Sequence, residues 1–409
     1  MRVKVQIAFI IILAFALSVI PAARASITDY SYVKQHSITG SSDGPLTDYS
    51  LKFIVHRGSG NDNGQDVYLN ESSVSWPNDI RFADQNKNPL GNWIESSNDS
   101  EAIVWVRMDD IPVSGTTVYL YYGKAGDPGS SSIDDAMLWG DDFSGRSPEI
   151  DKWQTGVDYY VGNGLISIGG MEPRPHYIVS TQSFSAPYIL EYRGAVTEEG
   201  TNMQLAVGFH GSDYGYIGEE SYGYVANDLD AHNFGGDVLA KYNGTWINFQ
   251  NPVYIHKTNT YYRGEVVTRA DGIKAYLYDD KGTLLRNTST DDVSRMDGYI
   301  NLQSYGSNTM SVWDYVFIRK YTQDEPVHGN WSNEAILNNS VTIRPAVTSG
   351  SSPSPVEQGK EPSSRAGSPF RGFDITTMIC VAGLILIVLV ALILAAVLIL
   401  MIIKTVMKR

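Results

Sequence analysis

Cysteine is almost missing from this sequence. Its 409 residues include a single cysteine, Cys380, which lies inside a long apolar run near the end of the chain. The remainder has no thiol and forms no disulfide, which excludes thiol catalysis and small disulfide-stabilised modules. A chain of this length without such bonds must be stabilised by burial of apolar side chains.

Positive charge is also scarce. The sequence has 31 Lys and Arg against 45 Asp and Glu, and its formal net charge is -14. Because an acidic surface repels the phosphate backbone, this composition disfavours nucleic acid as a partner. Acidity of this size is ordinary for a protein exterior and identifies no other partner.

Several catalytic motifs are missing as well. The seven histidines lie far apart, and neither an H-E-x-x-H zinc motif nor a phosphate-binding glycine loop occurs. There is no E-x-D-x-E strand, in which a spacing of two would place carboxylates on one face of a sheet. The adjacent pairs Glu198-Glu199 and Glu219-Glu220 would point to opposite faces of a strand, and we interpret them as solvated charge. The sequence thus favours a protein that is not an enzyme and has no cofactor apart from the calcium considered below.

The N-terminus has the features of a secretory signal peptide. Two basic residues precede an apolar run from about Ile7 to Ile20, which is too short to span a bilayer. A small-residue A-x-A site ends at Ala25. We expect residues 1–25 to be removed on export, and an uncleaved anchor is the alternative.

The other end predicts a membrane helix. Residues 375–403 carry no charge, and this run is long enough to cross ~30 Å of hydrocarbon with some tilt. Lys404, Lys408 and Arg409 follow. The positive-inside rule then places the tail at 404–409 in the cytoplasm and the body of a single-pass cell-membrane protein outside the cell.

Two breaks divide the chain between these ends. Pro, Ser and Gly dominate 348–371, so we interpret 335–373 as a stalk between the body and the membrane. The stretch 127–132 has no apolar residue and marks a domain boundary. One domain then occupies 27–132 and the second 137–334, and we expect each to fold separately.

Both domains show the period-two alternation of β-strands. Apolar side chains recur at every second position in 49–55, 104–108 and 273–277, which predicts strands with one face on a core. The last of these follows Ala270-Asp271-Gly272, a hairpin signal. No stretch of the body shows a sustained helical period. We therefore predict an all-β fold of two tandem antiparallel β-sandwich or jelly-roll domains, followed by one C-terminal transmembrane helix.

Four motifs of the first domain occur in the order found in a known family. They are Asp79-Ile80-Arg81-Phe82-Ala83-Asp84, Trp93-Ile94-Glu95, Val104-Trp105-Val106-Arg107-Met108 and Val118-Tyr119-Leu120-Tyr121-Tyr122-Gly123. On these motifs the domain resembles the prokaryotic surface family called domain of unknown function 2341. The resemblance implies a cell-surface context and supplies no activity.

Three segments of the second domain are similar to concanavalin-like (laminin-G-type) jelly rolls. They are Asp141-Asp142-Phe143 with Trp153 and 164–168, then Tyr261-Tyr262-Arg263-Gly264-Glu265, then Trp313-Asp314-Tyr315-Val316-Phe317-Ile318-Arg319. With two such domains, a signal peptide and a membrane anchor, the chain resembles archaeal or bacterial cell-surface proteins. In similar folds, acidic residues of the terminal strands hold a structural Ca²⁺, so Asp142 and Asp314 are candidate ligands.

Tyrosines form the candidate ligand loop. Tyr214, Tyr216, Tyr222 and Tyr224 lie in a glycine-rich stretch, where exposed rings can stack on sugars. The alternative is that these tyrosines are ordinary strand residues. Candidate N-glycosylation sequons, which are meaningful in an exported chain, occur at Asn70, Asn98, Asn243, Asn287, Asn330 and Asn338.

We expect a membrane-anchored cell-surface protein with a binding or structural role in glycan recognition or adhesion. Its partners would be glycans or other cell-surface components, together with the membrane. The alternative is an exported glycan-active enzyme of the glycoside hydrolase type with an unrecognised carboxylate pair. That alternative requires two carboxyl groups ~5–10 Å apart in an open cleft of the second domain.

Overall fold

The computed structural model describes residues 27–145, 152–198, 204–213, 215–229, 238–253 and 257–337. The predicted signal peptide, the membrane helix, the cytoplasmic tail and the stalk beyond residue 337 lie outside these residues. No helix within them is long and apolar enough to cross a membrane. They belong to one compact unit.

The described chain is almost entirely β-structure, as predicted from the alternation. In chain order the strands are β1 Tyr32–Thr39, β2 Leu46–His56, β3 Asp66–Tyr68, β4 Arg81–Ala83, β5 Gly91–Ser97, β6 Glu101–Ile111, β7 Thr116–Tyr122, β8 Trp139–Asp141, β9 Trp153–Val157, β10 Tyr159–Gly162, β11 Leu165–Gly170, β12 Arg174–Ser185, β13 Tyr188–Glu198, β14 Ala206–Gly211, β15 Gly223–Ala226, β16 Ala240–Tyr242, β17 Trp246–Asn248, β18 Tyr262–Arg269, β19 Gly272–Asp279, β20 Leu284–Thr290, β21 Asp297–Gly306, β22 Thr309–Lys320, β23 Val327–Trp331 and β24 Ala335–Ile336. One short helix, α1, spans Ile133–Ala136.

The first sandwich consists of two sheets. Sheet I has the order β3-β2-β6-β5, and sheet II has the order β23-β1-β7-β4 with β24 also on β1. Their inner faces share one apolar core, to which Phe53 of β2 and Leu120 of β7 contribute. Every pairing in this sandwich is antiparallel except the short one between β2 and β3, which is parallel.

The second sandwich has a larger pair of sheets. Sheet III runs β10-β11-β22-β13-β18-β19-β20 with β8 also on β22, and sheet IV runs β17-β16-β15-β14-β21-β12-β9. The predicted hairpin is present, because Arg269 of β18 pairs with Gly272 of β19 across a two-residue turn. The opening strand β8 pairs with the closing strand β22. A single core fills the space between the sheets and includes Ile273, Leu302 and Trp313.

An apolar seam joins the two sandwiches. Trp93 and Trp105 on the outer face of sheet I pack against Phe317 on the outer face of sheet III, with ring centroids 5.6 Å and 5.4 Å apart. Ile133 and Ala136 of α1 belong to the same buried cluster. The alternation in the sequence therefore identified the core of each sandwich. It did not identify the seam, which Trp105 contacts from the opposite face of its strand.

Two features differ from the predicted domain boundaries. Strands β23 and β24 pair with β1 of the first sandwich, although their sequences fall in the ranges predicted as jelly roll and stalk. The breaker stretch also makes structural contacts, since Asp127 is buried, forms an ion pair with Arg81 and accepts a hydrogen bond of 2.6 Å from the Tyr30 hydroxyl. A polar segment can thus be fixed by ion pairs that its composition does not reveal.

Candidate functional site

The structure separates the four tyrosines of the candidate ligand loop. Tyr224 belongs to the core of the second sandwich, and its hydroxyl donates to the Asp292 carboxylate at 2.5 Å. Tyr216 is also buried, whereas Tyr222 is 42 % exposed. Tyr214 lies outside the described residues. For Tyr224 the strand-packing interpretation applies, and Tyr222 is the exposed ring that a ligand can reach.

Tyr216 and Tyr222 belong to a longer row of aromatic rings on the outer face of sheet IV, which we call the aromatic strip. Its members are Tyr177, Tyr305, Tyr216, Trp246, Tyr242 and Tyr222. Centroid distances are 6.5 Å from Tyr177 to Tyr216 and 6.3 Å from Tyr216 to Tyr305. Trp246 lies 5.3 Å from Tyr242, and Tyr242 stacks 5.7 Å from Tyr222.

The glycine-rich loop brings together the two halves of the strip, at Tyr216 and Trp246. The side chain of Ile217 packs on Ala206 and Val225, which anchors the glycine-rich loop to the outer face of sheet IV. Gly218 has a φ of +140°, and a Cβ there would lie 2.8 Å from the Tyr216 hydroxyl and 3.0 Å from the Trp246 ring. Glycine at this position therefore permits the close approach of Tyr216 and Trp246.

The aromatic strip ends at a polar cleft of ≈ 730 Å³, which lies where strands β12, β14 and β16 of sheet IV end and β21 begins. The lining residues are Ser183, Gly211, Ser212, Lys241, Asn243, Ser294, Arg295, Met296, Asp297, Gly298 and Tyr299. The Arg295 guanidinium lies 5.6 Å from the centroid of the Tyr222 ring, which connects strip and cleft. Hydroxyl, amide and charged groups thus stand directly beside an exposed aromatic ring.

One ion pair organises the inner wall of the cleft. The Lys241 ammonium donates to Asp292 at 2.6 Å and to the Ser294 hydroxyl at 2.8 Å. Burial acts to raise the pKa of Asp292, but hydrogen bonds from Lys241, Tyr224 and Ser294 outweigh it and hold the pKa well below its ordinary value. The charge of Lys241 is therefore compensated within the protein.

A pair of carboxylates lies on the opposite sheet. Glu191 of β13 and Glu265 of β18 are direct cross-strand neighbours on the outer face of sheet III, which places their Cβ atoms ~4.5–5.5 Å apart. Their side chains are 19 % and 24 % exposed. The adjacent pairs that the sequence offered behave differently, because Glu219 and Glu220 are exposed and Glu199 lies outside the described residues.

The two carboxylates have different environments. Arg319 donates from Nε to Glu191 at 2.6 Å, while its nearest guanidinium nitrogen is 3.9 Å from Glu265. Burial, followed by the nearby charge of Glu191, raises the pKa of Glu265 to about 7. Burial, followed by the charge of Arg263, lowers the pKa of Lys52 of the first sandwich to about 8. Glu265 thus holds a proton more readily than an ordinary glutamate.

Two small hollows flank Glu265 on this face. One of ≈ 190 Å³ is lined by Lys52, Arg263 and Tyr278 among others, and a second of ≈ 290 Å³ is lined by Tyr276 and Arg319 among others. Glu265 lines both. The sequence could not reveal this pair, because Glu191 and Glu265 meet only through the register of two strands that are distant along the chain.

The candidate calcium ligands Asp142 and Asp314 already have partners. Asp142 accepts from the Trp93 indole at 3.0 Å, and Asp314 accepts from Arg193 at 2.6 Å. Burial raises the pKa of Asp314 against the opposing effect of Arg193, and the charge of Asp142 adds to the rise. No group of three or more His, Cys, Asp or Glu among the described residues is arranged to hold a metal. A cation at Asp314 would have to displace a guanidinium, so the two residues fit Ca²⁺ poorly.

The sequons that the structure describes are all accessible. The side chains of Asn70, Asn98, Asn243, Asn287 and Asn330 are exposed. Asn338 lies outside the described residues. Asn243 differs from the others because it also lines the polar cleft.

Comparison with known proteins identifies one family over part of the chain. Residues 76–156 match the family described as domain of unknown function (DUF2341), which confirms the resemblance predicted from the first-domain motifs. No curated protein matches the chain.

Solved structures are similar to part of the chain at low identity. The carbohydrate-binding module CBM66 from Bacillus subtilis has 18 % identity and a TM-score of 0.31, covering 41 % of this chain and 96 % of its own. The laminarinase catalytic domain from Thermotoga maritima MSB8 has 11 % identity and a TM-score of 0.35, covering 46 % and 98 %. The endo-β-1,3-glucanase from Pyrococcus furiosus has 15 % identity and a TM-score of 0.35, covering 46 % and 95 %.

Proposed function

We propose that this protein is a membrane-anchored cell-surface glycan-binding protein whose second sandwich binds the glycan. The ligand lies along the aromatic strip and enters the polar cleft. The observation that carries this proposal is the continuity of the strip, through Tyr222 and Arg295, with the cleft.

This geometry matches the chemistry of sugars. A sugar ring presents an apolar C–H face, which packs on an aromatic ring, and hydroxyl groups, which need donors and acceptors at fixed positions. Tyr222 and Trp246 supply the rings, while Ser212, Asn243 and Asp297 supply polar groups at the end of the strip. The tandem arrangement outside the membrane would present this face to the surroundings of the cell.

Glycan-array binding of the full chain in detergent tests the proposal. Trp246→Ala and Tyr222→Ala should each weaken binding by about tenfold or more, since loss of an aromatic anchor typically costs ~1–3 kcal/mol. Tyr160→Ala is the matched control, because this tyrosine is 71 % exposed and lies outside the strip. Equal binding by all three variants would contradict the proposal.

The Glu191–Glu265 pair favours a second candidate function, cleavage of glycosidic bonds. A raised pKa lets Glu265 donate a proton to a leaving-group oxygen, while Glu191 has the role of the second carboxyl group, which attacks the anomeric carbon or activates water. Arg319 donates a hydrogen bond to Glu191, which restricts the access of a substrate to this carboxyl group.

Release of reducing ends from a panel of polysaccharides tests the enzymatic candidate. Glu265→Gln and Glu191→Gln should each abolish release if the pair is catalytic, with Glu219→Gln as the exposed control. If both variants still release reducing ends, or if the parent protein releases none, the pair is not catalytic. Glycan binding then remains the proposed function.

A further inference from the structure

Arg295 differs from the other arginines that the structure describes. Each of the others has a carboxylate or a backbone carbonyl within reach of its guanidinium. Among the described residues, the one partner of the Arg295 guanidinium is the face of Tyr222, 5.6 Å from the ring centroid. The positive charge of Arg295 therefore faces the cleft without an ion pair to any residue that the structure describes.

The surroundings of Arg295 make this charge available to a ligand. Lys241, the other cation of the lining, is compensated by Asp292. Asp297 is the one carboxylate of the lining and forms no ion pair among the described residues. Tyr222 is held from behind by Tyr242, so ring and guanidinium form a fixed edge at the mouth of the cleft.

We propose that the glycan carries a carboxylate, as a uronic acid does, and that Arg295 binds this carboxylate at the point where the aromatic strip meets the cleft. This inference rests on the proposed glycan-binding function and narrows it to acidic sugars. A guanidinium is planar and matches a carboxylate with two parallel N–H···O bonds. Asp297, which follows Arg295 by two positions and lines the same cleft, can accept hydrogen bonds from sugar hydroxyls and disfavours a second negative charge close to it.

The position of Arg295 also determines which acidic glycans fit. A guanidinium against an aromatic face is partly desolvated, which strengthens its interaction with an anion relative to a fully exposed arginine. In a chain with a formal net charge of -14, densely charged polyanions are repelled by the surface as a whole. The cleft therefore selects glycans with isolated carboxylates over heavily sulfated ones.

The test compares three ligands with the full chain in detergent: a uronate-containing oligosaccharide, its carboxyl-reduced neutral form and a sulfated oligosaccharide. The parent protein should prefer the uronate by about tenfold over the neutral form, the effect of one charge-assisted bidentate pair. Arg295→Met should remove this preference while neutral binding remains, and Arg295→Lys should restore part of it. Lys281→Met removes an equal charge from the distant β19–β20 turn and should change nothing.

The outcomes separate this inference from the proposed function. If the parent binds both sugars equally, or prefers the sulfated one, and Trp246→Ala still abolishes binding, the acidic-sugar inference is wrong and glycan binding stands. A uronate preference that survives Arg295→Met also overturns the inference. If no glycan binds the parent protein, both the inference and the proposed function fail.

Discussion

At the scale of single residues, a pair of histidines, of which His36 is buried and His328 half-buried, limits the stability of the fold in acid. His36 of β1 and His328 of β23 share a hydrogen bond between ring nitrogens of 3.0 Å. Burial, and then the neighbouring His328, lowers the pKa of His36 to about 3. Burial also lowers the pKa of His328 to about 4. The folded pair is therefore neutral in a range where unfolded histidines are protonated.

We expect the melting temperature to fall as the pH is lowered from about 6.5 towards 4. In this range the two histidines bind protons in the unfolded chain but not in the folded protein. The direction follows because the pKa of each histidine is lower in the folded state than in the unfolded state. Their contribution to the free energy of unfolding is therefore fully present above the ordinary histidine pKa and is lost as the pH falls. The slope should reach roughly 1.4 kcal/mol per pH unit for each histidine. The double variant His36→Gln, His328→Gln should melt with a shallower pH dependence. An unchanged slope would contradict the assignment.

Titration of Glu265 changes the stability of the fold with pH in the opposite direction. Its folded pKa of about 7 lies above the ordinary 4.5, so the folded state binds the extra proton between these values. The stability from this proton is fully present below about 4.5 and is lost as the pH rises through 7. The variant Glu265→Gln should not lose stability in this way as the pH rises. Thermal unfolding measured from pH 5 to 8, with Glu220→Gln as the control, tests this expectation.

At the scale of elements, the chain closes its first sandwich with its own late strands. Trp331 of β23 stacks on His36 with centroids 4.1 Å apart and packs on the first core. Alternation in the sequence predicted β2, β6 and β19 well, because each of these strands has at least three successive apolar residues on one face. Val327–Trp331 shows no such face, since an edge strand has few buried positions. Its pairing with β1 could not be predicted from a single sequence.

Trp331→Ala should therefore destabilise the first sandwich by roughly 2–3 kcal/mol, below the cost at a fully buried tryptophan because this ring is partly exposed. Chemical denaturation monitored by fluorescence measures the change. Residues 27–132 expressed without 327–337 should show the same defect more strongly, contrary to the separate folding expected from the sequence. A stable, cooperative melt of 27–132 alone would restore the original two-domain boundary.

At the scale of the whole molecule, the seam decides whether the sandwiches unfold together. Phe317 lies within packing distance of both Trp93 and Trp105, so Phe317→Ala removes the central ring of the seam. We expect calorimetry to change from one transition to two, with the seam variant losing roughly 3 kcal/mol of coupling. Ile336→Ala, at a largely exposed side chain, is the control. A single transition in the Phe317 variant would show that other contacts couple the sandwiches.

Membrane topology belongs to the same scale and rests on the charge asymmetry around 375–403. Protease added to intact cells should remove the body of the protein and spare a tag fused after Arg409, because the positive-inside rule leaves that end in the cytoplasm. Loss of the tag while the membrane stays sealed would reverse the topology. A cytoplasmic marker protein in the same cells reports whether the membrane stayed sealed.

The sequon in the cleft has a consequence for how this protein is prepared. Asn243 is exposed and lines the mouth that the proposed ligand must enter. A host that glycosylates Asn243 would attach the protein's own sugar at that entrance, where it competes with the added ligand at an effective concentration on the order of millimolar. Material from a glycosylating host and material from a bacterium without this modification would then give different affinities for the same glycan. The expression host thus becomes an experimental variable, and Asn243→Gln is the variant that makes the two preparations comparable.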